Sequence, residues 1–158
     1  MKKVAVLVDY ENIAFSKISE GKVVDFPALI ETIRGEIGVV KVALAFLPIG
    51  VSLSDDTIRE LDKAGIDCVV CPRYDTSSGK EKDRVDSRMI ALAKKLFDEH
   101  SDVTDIALVS NDGDFTPLAT FFKQRGKFVT LFGIGKISGA LRQVVNLTRG
   151  VPVRDREV

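Results

Sequence analysis

Five short apolar runs, rich in β-branched residues, constrain this chain most: "KVAVLV" (3–8), "VVKVALAFL" (39–47), "DCVVC" (67–71), "DIALVS" (105–110) and "KFVTLFG" (127–133). They are near-continuous rather than alternating, as strands covered on both faces are. Amphipathic stretches lie between them. "DFPALIETIRGEIG" has apolar residues at 26, 29, 30, 33 and 37, and "SDDTIRELDKAG" opens on N-capping residues and ends in glycine. "DRVDSRMIALAKKLFDEH" is the longest helical pattern, and "DFTPLATFFKQRG" closes at Gly126. Strands alternating with helices predict a parallel sheet with helices on both faces and ligands at the C-terminal ends of the strands.

At 158 residues the chain suits one domain, expected over 1–150, with 151–158 as a frayed tail. Only five apolar residues lie between Lys3 and Asp9, too few for a signal-peptide core, and no segment is long and apolar enough for a bilayer. A cytoplasmic protein with no membrane partner is the expectation. The net charge is zero, but residues 123–158 hold eight basic and two acidic residues, and residues 101–122 hold four aspartates and no Lys or Arg. A polyanion bound beside a metal site suits that division; so does an unevenly charged solvated surface. Cys68 and Cys71 form one CxxC without a second pair, and the single His100 is distant, so a closed zinc site lacks ligands. Both cysteines read as inert core residues. The polar loop "PRYDTSSGKEKD" (72–83) is long enough to be mobile or functional.

The carboxylates carry the chemistry. The first run ends directly on Asp9, and the fourth ends in "SNDGDF", with Asp112 and Asp114. Asp86 leads a helical stripe of Met89, Ile90, Ala93 and Phe97 and should face the sheet. Singly, Asp9, Asp112 or Asp114 could serve a helix N-terminus. Together they bring four carboxylates from three segments to one edge, where two charges 4 Å apart repel by roughly 4 kcal/mol at an effective dielectric near 20. Hard oxygen donors without histidine favour Mg²⁺ or Mn²⁺ over zinc. Gly113 reads as the tight turn that brings the backbone close.

"VLVDYENI", "KDRVDSRMIALA" and "ALVSNDGDFTPLATFFKQRGKFVTLFG", in that order, resemble NYN domains, the LabA-like branch of the PIN-like nuclease superfamily, from residue 3 to about 145. The resemblance implies a three-layer α/β/α fold with a five-stranded parallel sheet in the order 3-2-1-4-5. It also implies a divalent-metal site of Asp9, Asp86, Asp112 and Asp114, with Asn12 and Ser110 orienting a water or phosphate. The family's usual serine-glycine-aspartate-serine-aspartate-phenylalanine signature is altered here at Asn111 and Gly113. The activity implied is metal-dependent hydrolysis of RNA. Lys80, Lys82, Arg84 and Arg88 flank the site and read either as a hold on the RNA backbone or as a solvated loop and helix face. Tyr10 and Tyr74 are stacking candidates at the same edge. Phe115, Phe121, Phe122, Phe128 and Phe132 read mainly as core. The alternative is a non-catalytic RNA-binding or regulatory module on the same fold, and a homodimer is left open. A haloacid-dehalogenase phosphatase fits poorly, with Glu11 where its second aspartate belongs and Ile13 at its threonine-like position. No GxGxxG follows the first strand, against a dinucleotide-binding domain.

Overall fold

The first strand, β1 (Lys3–Asp9), forms the middle of a parallel sheet. A computed structural model describes residues 1–16, 21–71, 73–75, 81–83 and 85–156; for 73–75, 81–83, 85 and 86 the backbone alone is described. After β1 come α1 (Tyr10–Ala14), β2 (Lys22–Val24), α2 (Phe26–Glu36), β3 (Val39–Pro48), α3 (Asp55–Lys63) and β4 (Asp67–Cys71). A hairpin of β5 (Arg73–Asp75) and β6 (Glu81–Asp83) leads to α4 (Val85–Glu99) and β7 (Asp105–Val109). A 3-10 turn, Gly113–Phe115, then opens α5 (Thr116–Gln124), followed by β8 (Phe128–Gly133), α6 (Gly139–Val144), β9 (Leu147–Gly150) and β10 (Val153–Asp155).

The sheet runs β4-β3-β1-β7-β8-β9, with every neighbouring pair parallel. It is therefore an α/β fold around a parallel sheet of six strands rather than five. The five expected runs are its first five, and β9 extends the order beyond the fifth. The sequence gives β9 little signal: "LTRG" is short and mostly exposed. The last residues correct the expectation of a frayed tail. There β10 pairs antiparallel with β2, Val151 is buried, and Arg154 reaches Glu60 of α3 at 2.7 Å. Three residues, Val153, Arg154 and Asp155, whose partners are Val24, Val23 and Lys22 near the other end of the chain, leave no local pattern to read. The polar 72–83 stretch likewise holds the antiparallel β5–β6 pairing.

Strand alternation divides the interior in two. Val4, Val6 and Val8 face Leu29, Ile30 and Ile33 of α2 and Leu61 of α3. Ala5 and Leu7 face Met89 and Ala93 of α4 and Leu118 and Phe122 of α5. Phe46, Phe115, Phe122 and Phe132 are at most 2% exposed, and each contributes about 1.5–3 kcal/mol by burial. Phe128 departs from the core expectation; it is 38% exposed, beneath the Lys2 ammonium.

Local chemistry sets the helix ends. The Asp25 carboxylate accepts from the Ala28 amide with proline in the first turn, and Ser54 accepts from the Thr57 amide. Gly126, at φ +75°, ends α5 in a conformation other residues resist. Cys71 is buried as expected, but Cys68 is exposed. On the edge strand β4, Cys68 and Val70 are exposed on one face, and partial burial and Asp67 push the Cys68 thiol pKa up. Among the described residues, no helix is long and apolar enough to cross a membrane.

Candidate metal and RNA site

β1 and β7 run side by side in register up to Val8 and Val109, and the next step of each strand brings Asp9 beside Ser110. By alternation both follow the Leu7 and Leu108 side of the sheet, the face covered by α4 and α5. Asp9 is 5% exposed and Ser110 fully buried. The Ser110 hydroxyl donates to Asp9 Oδ2 at 3.2 Å and accepts from the Asp112 amide at 3.1 Å. One hydroxyl thus joins the ends of the two strands. Asn12 Oδ1 accepts from the Asn111 amide at 2.9 Å and lies 3.5 Å from the same hydroxyl.

The capping reading separates the aspartates. Asp112 Oδ1 accepts from the Asp114 amide at 2.9 Å and caps the 3-10 turn. Asp9 occupies the N-cap position of α1 but makes no side-chain cap hydrogen bond. Asp114 is exposed and half a turn further on. Asp86 belongs to α4, one turn before buried Met89, and α4 packs on β1, β3 and the 3-10 turn; its side chain lies outside the described residues. Among the described residues, no group of three or more His, Cys, Asp or Glu side chains is gathered closely enough to hold a metal ion. The described donors that converge, Asp9, Asn12, Ser110 and Asp112, are all hard oxygens and so fit Mg²⁺ or Mn²⁺ in type. They include two of the four expected carboxylates; Asp114 is exposed, and the side chain of Asp86 lies outside the described residues.

Two residues of the signature turn act differently from expectation. Gly113 does not have the positive φ of a glycine-requiring turn. Its constraint is packing: a Cβ there would lie 2.6 Å from Ser138 Oγ. Asn111 is a clamp. Its amide donates to the Ile134 carbonyl and accepts from the Ile134 amide, both at 2.9 Å, and also donates to Ser16 Oγ at 3.1 Å. The Ser138 amide then donates to the Asn111 carbonyl at 3.2 Å. The loop after β8 is thereby bolted to the loop after β7, with exposed Lys136 at its tip.

Sequence reasoning missed Ser16, Ile134, Lys136 and Ser138. "GIGKISG" leaves the fifth run as "SNDGDF" leaves the fourth, and neighbouring parallel strands put such loops side by side; that was the available signal. Tyr10 requires a correction. It is 7% exposed and stacks on Phe26 at 5.7 Å, so its ring offers no open platform. Tyr10 joins the core of Val4, Val6 and Val8, on the face opposite that of Asp9. Arg88 is exposed on α4. Lys80 and Arg84 lie outside the described residues, as do the side chains of Lys82 and Tyr74.

The NYN domain matches residues 3–148, nearly the whole chain. The chain belongs to the NYN domain family. No curated protein matches this NYN domain. A solved protein of unknown function from Vibrio parahaemolyticus is similar over 96% of this chain and 93% of its own, at 23% identity and a TM-score of 0.78, which supports the fold. A nicotinamidase from Staphylococcus aureus aligns over 91% of this chain and 92% of its own, at 15% identity and a TM-score of only 0.41, too low to inform function.

Proposed function

We propose that this NYN domain is a divalent-metal-dependent ribonuclease that hydrolyses RNA phosphodiester bonds at the edge formed by Asp9, Asp86, Asp112 and Asp114. The observation that supports it most is Asp9: a buried aspartate at a helix N-cap position, making no cap bond and held by the Ser110 hydroxyl against the end of β7. A buried carboxylate at the end of the central strand, one strand away from Asp112, is a hard oxygen donor of the kind Mg²⁺ and Mn²⁺ take. A bound Mg²⁺ or Mn²⁺ would activate a water and neutralise developing phosphate charge.

The chain's own residues would do the rest. Ser110 fixes the orientation of the Asp9 carboxylate. Asp112 keeps one oxygen on the Asp114 amide and has the other to offer. Asn12, anchored by the Asn111 amide, holds α1 against the site. Arg88, with Lys80, Lys82 and Arg84, would hold the RNA backbone, and Lys136 adds a cation on the opposite loop.

The second reading is a non-catalytic RNA-binding module. It is favoured by the described residues alone, which assemble no three-carboxylate cluster. A melting experiment separates the two. Mn²⁺ or Mg²⁺ should raise Tm, since a ligand specific to the native state stabilises it. Asp9→Asn, which keeps the Ser110 contact, should abolish that rise without lowering the metal-free Tm. An equal rise in the variant would remove Asp9 from the metal site.

A further inference from the structure

On the other face of the sheet a cavity of about 440 Å³ opens between α1, α3 and the β2–β10 ribbon. That volume is in the range of small-molecule sites. Tyr10 and Phe26, stacked at 5.7 Å and 21°, form its wall, and Phe15, 69% exposed, stands at its rim. Glu60 lies on α3 with Oε2 accepting from Arg154 at 2.7 Å; its Oε1 is buried without a hydrogen-bond partner among the described residues. Arg156 is exposed at the mouth and makes no ion pair among the described residues. The cavity thus combines an open aromatic face, a carboxylate with acceptor capacity unused, and a cation.

We propose that this cavity binds one base of the RNA substrate, a base with an exocyclic amine. The inference rests on the RNA reading above and adds a specificity subsite to it. Phe15 would stack on the base, because any base offers a π-face. The Glu60 carboxylate, after a small turn, would accept from the amine, as carboxylates do from cytosine N4. Uracil presents a carbonyl oxygen there and leaves Glu60 without a donor. Arg156 would meet the attached phosphate. The short helix α1 separates the two sites: Asn12 turns to Asn111 on one side, and Tyr10 and Ala14 line the cavity on the other. A strand crossing one helix diameter, about 10 Å, would reach both.

The test is fluorescence anisotropy of labelled oligo-C and oligo-U, in EDTA so that nothing is cut. Oligo-C should bind about tenfold more tightly than oligo-U. Glu60→Gln should bring the two within about twofold, because its amide presents a donor as well as an acceptor. Thr57→Trp, placed on the surface of α3 to fill the cavity, should remove the preference while Tm is held. Equal binding of the two oligomers by the unaltered protein, or a preference that survives both substitutions, would overturn the subsite. Metal-dependent cleavage without base preference would overturn the subsite and leave the ribonuclease reading intact. Base preference without cleavage would support the subsite and count against the enzyme.

Discussion

Asn111 holds both the amide and the carbonyl of Ile134, each at 2.9 Å, and so extends the pairing of β7 and β8 past the ends of their backbone ladder. Ile134 is 9% exposed, so its amide has little water to fall back on. Asn111→Gly restores the residue usual in the signature this turn resembles, and it should nevertheless destabilise the protein. Leaving a buried backbone pair without partners costs about 1–3 kcal/mol. Chemical denaturation with urea checks this; an unchanged or higher midpoint would show that the clamp contributes nothing.

Gly113 and Ser138 compete for one space. Gly113→Ala puts a methyl 2.6 Å from Ser138 Oγ and 3.3 Å from its Cβ, so the hydroxyl must rotate away from the Leu141 amide it caps. The substitution should cost about 1 kcal/mol or more. In a Ser138→Ala background the cost should shrink, because the colliding oxygen is gone. A double-mutant cycle reads the coupling directly. Additive effects would mean that the two loops are not packed as described.

Acid stability carries a signature of the opposite end of the sheet. Lys3 and Lys41 both donate to Asp102, at 2.9 and 2.8 Å, and hold its carboxyl well below the ordinary range. The native state therefore gives up this proton more readily than the unfolded chain does. The stabilisation is complete above the ordinary carboxylate pKa of about 3.9 and is lost as pH falls from there toward the lowered native value. The Tm difference between the unaltered protein and Asp102→Asn should be present at pH 7 and narrow steadily as pH falls below the ordinary carboxylate pKa. The pair is exposed and the effect modest. A difference that widens in acid would reverse the sign.

The legible parts of the sequence were those with period and punctuation. β1, β3, β4, β7 and β8 announce themselves as apolar runs, α2 and α3 begin on the capping residues Asp25 and Ser54, and α3 and α5 end at Gly65 and Gly126. The edge holding Asp9, Ser110 and Asp112 followed from strand ends alone. What escaped depends on distant partners. β10 is three residues that become a strand only against β2. Tyr10 looks like an edge residue until alternation turns it onto Phe26. Gly113 looks like a turn until Ser138 fills the space where its side chain would be. Asn111 reads as a departure from a signature, while its role is written 23 residues away at Ile134.

Cleavage of a labelled RNA in the presence and absence of Mn²⁺ or Mg²⁺, by the unaltered protein beside Asp112→Asn and Asp9→Asn, tests the proposed function most directly. Asparagine at either position keeps an oxygen for its present hydrogen bond and removes the charge. The expected result is cleavage that requires the metal, is blocked by EDTA, and falls at least about a hundredfold in each variant. Undiminished cleavage in both variants, or none by the unaltered protein at any metal concentration, would contradict it.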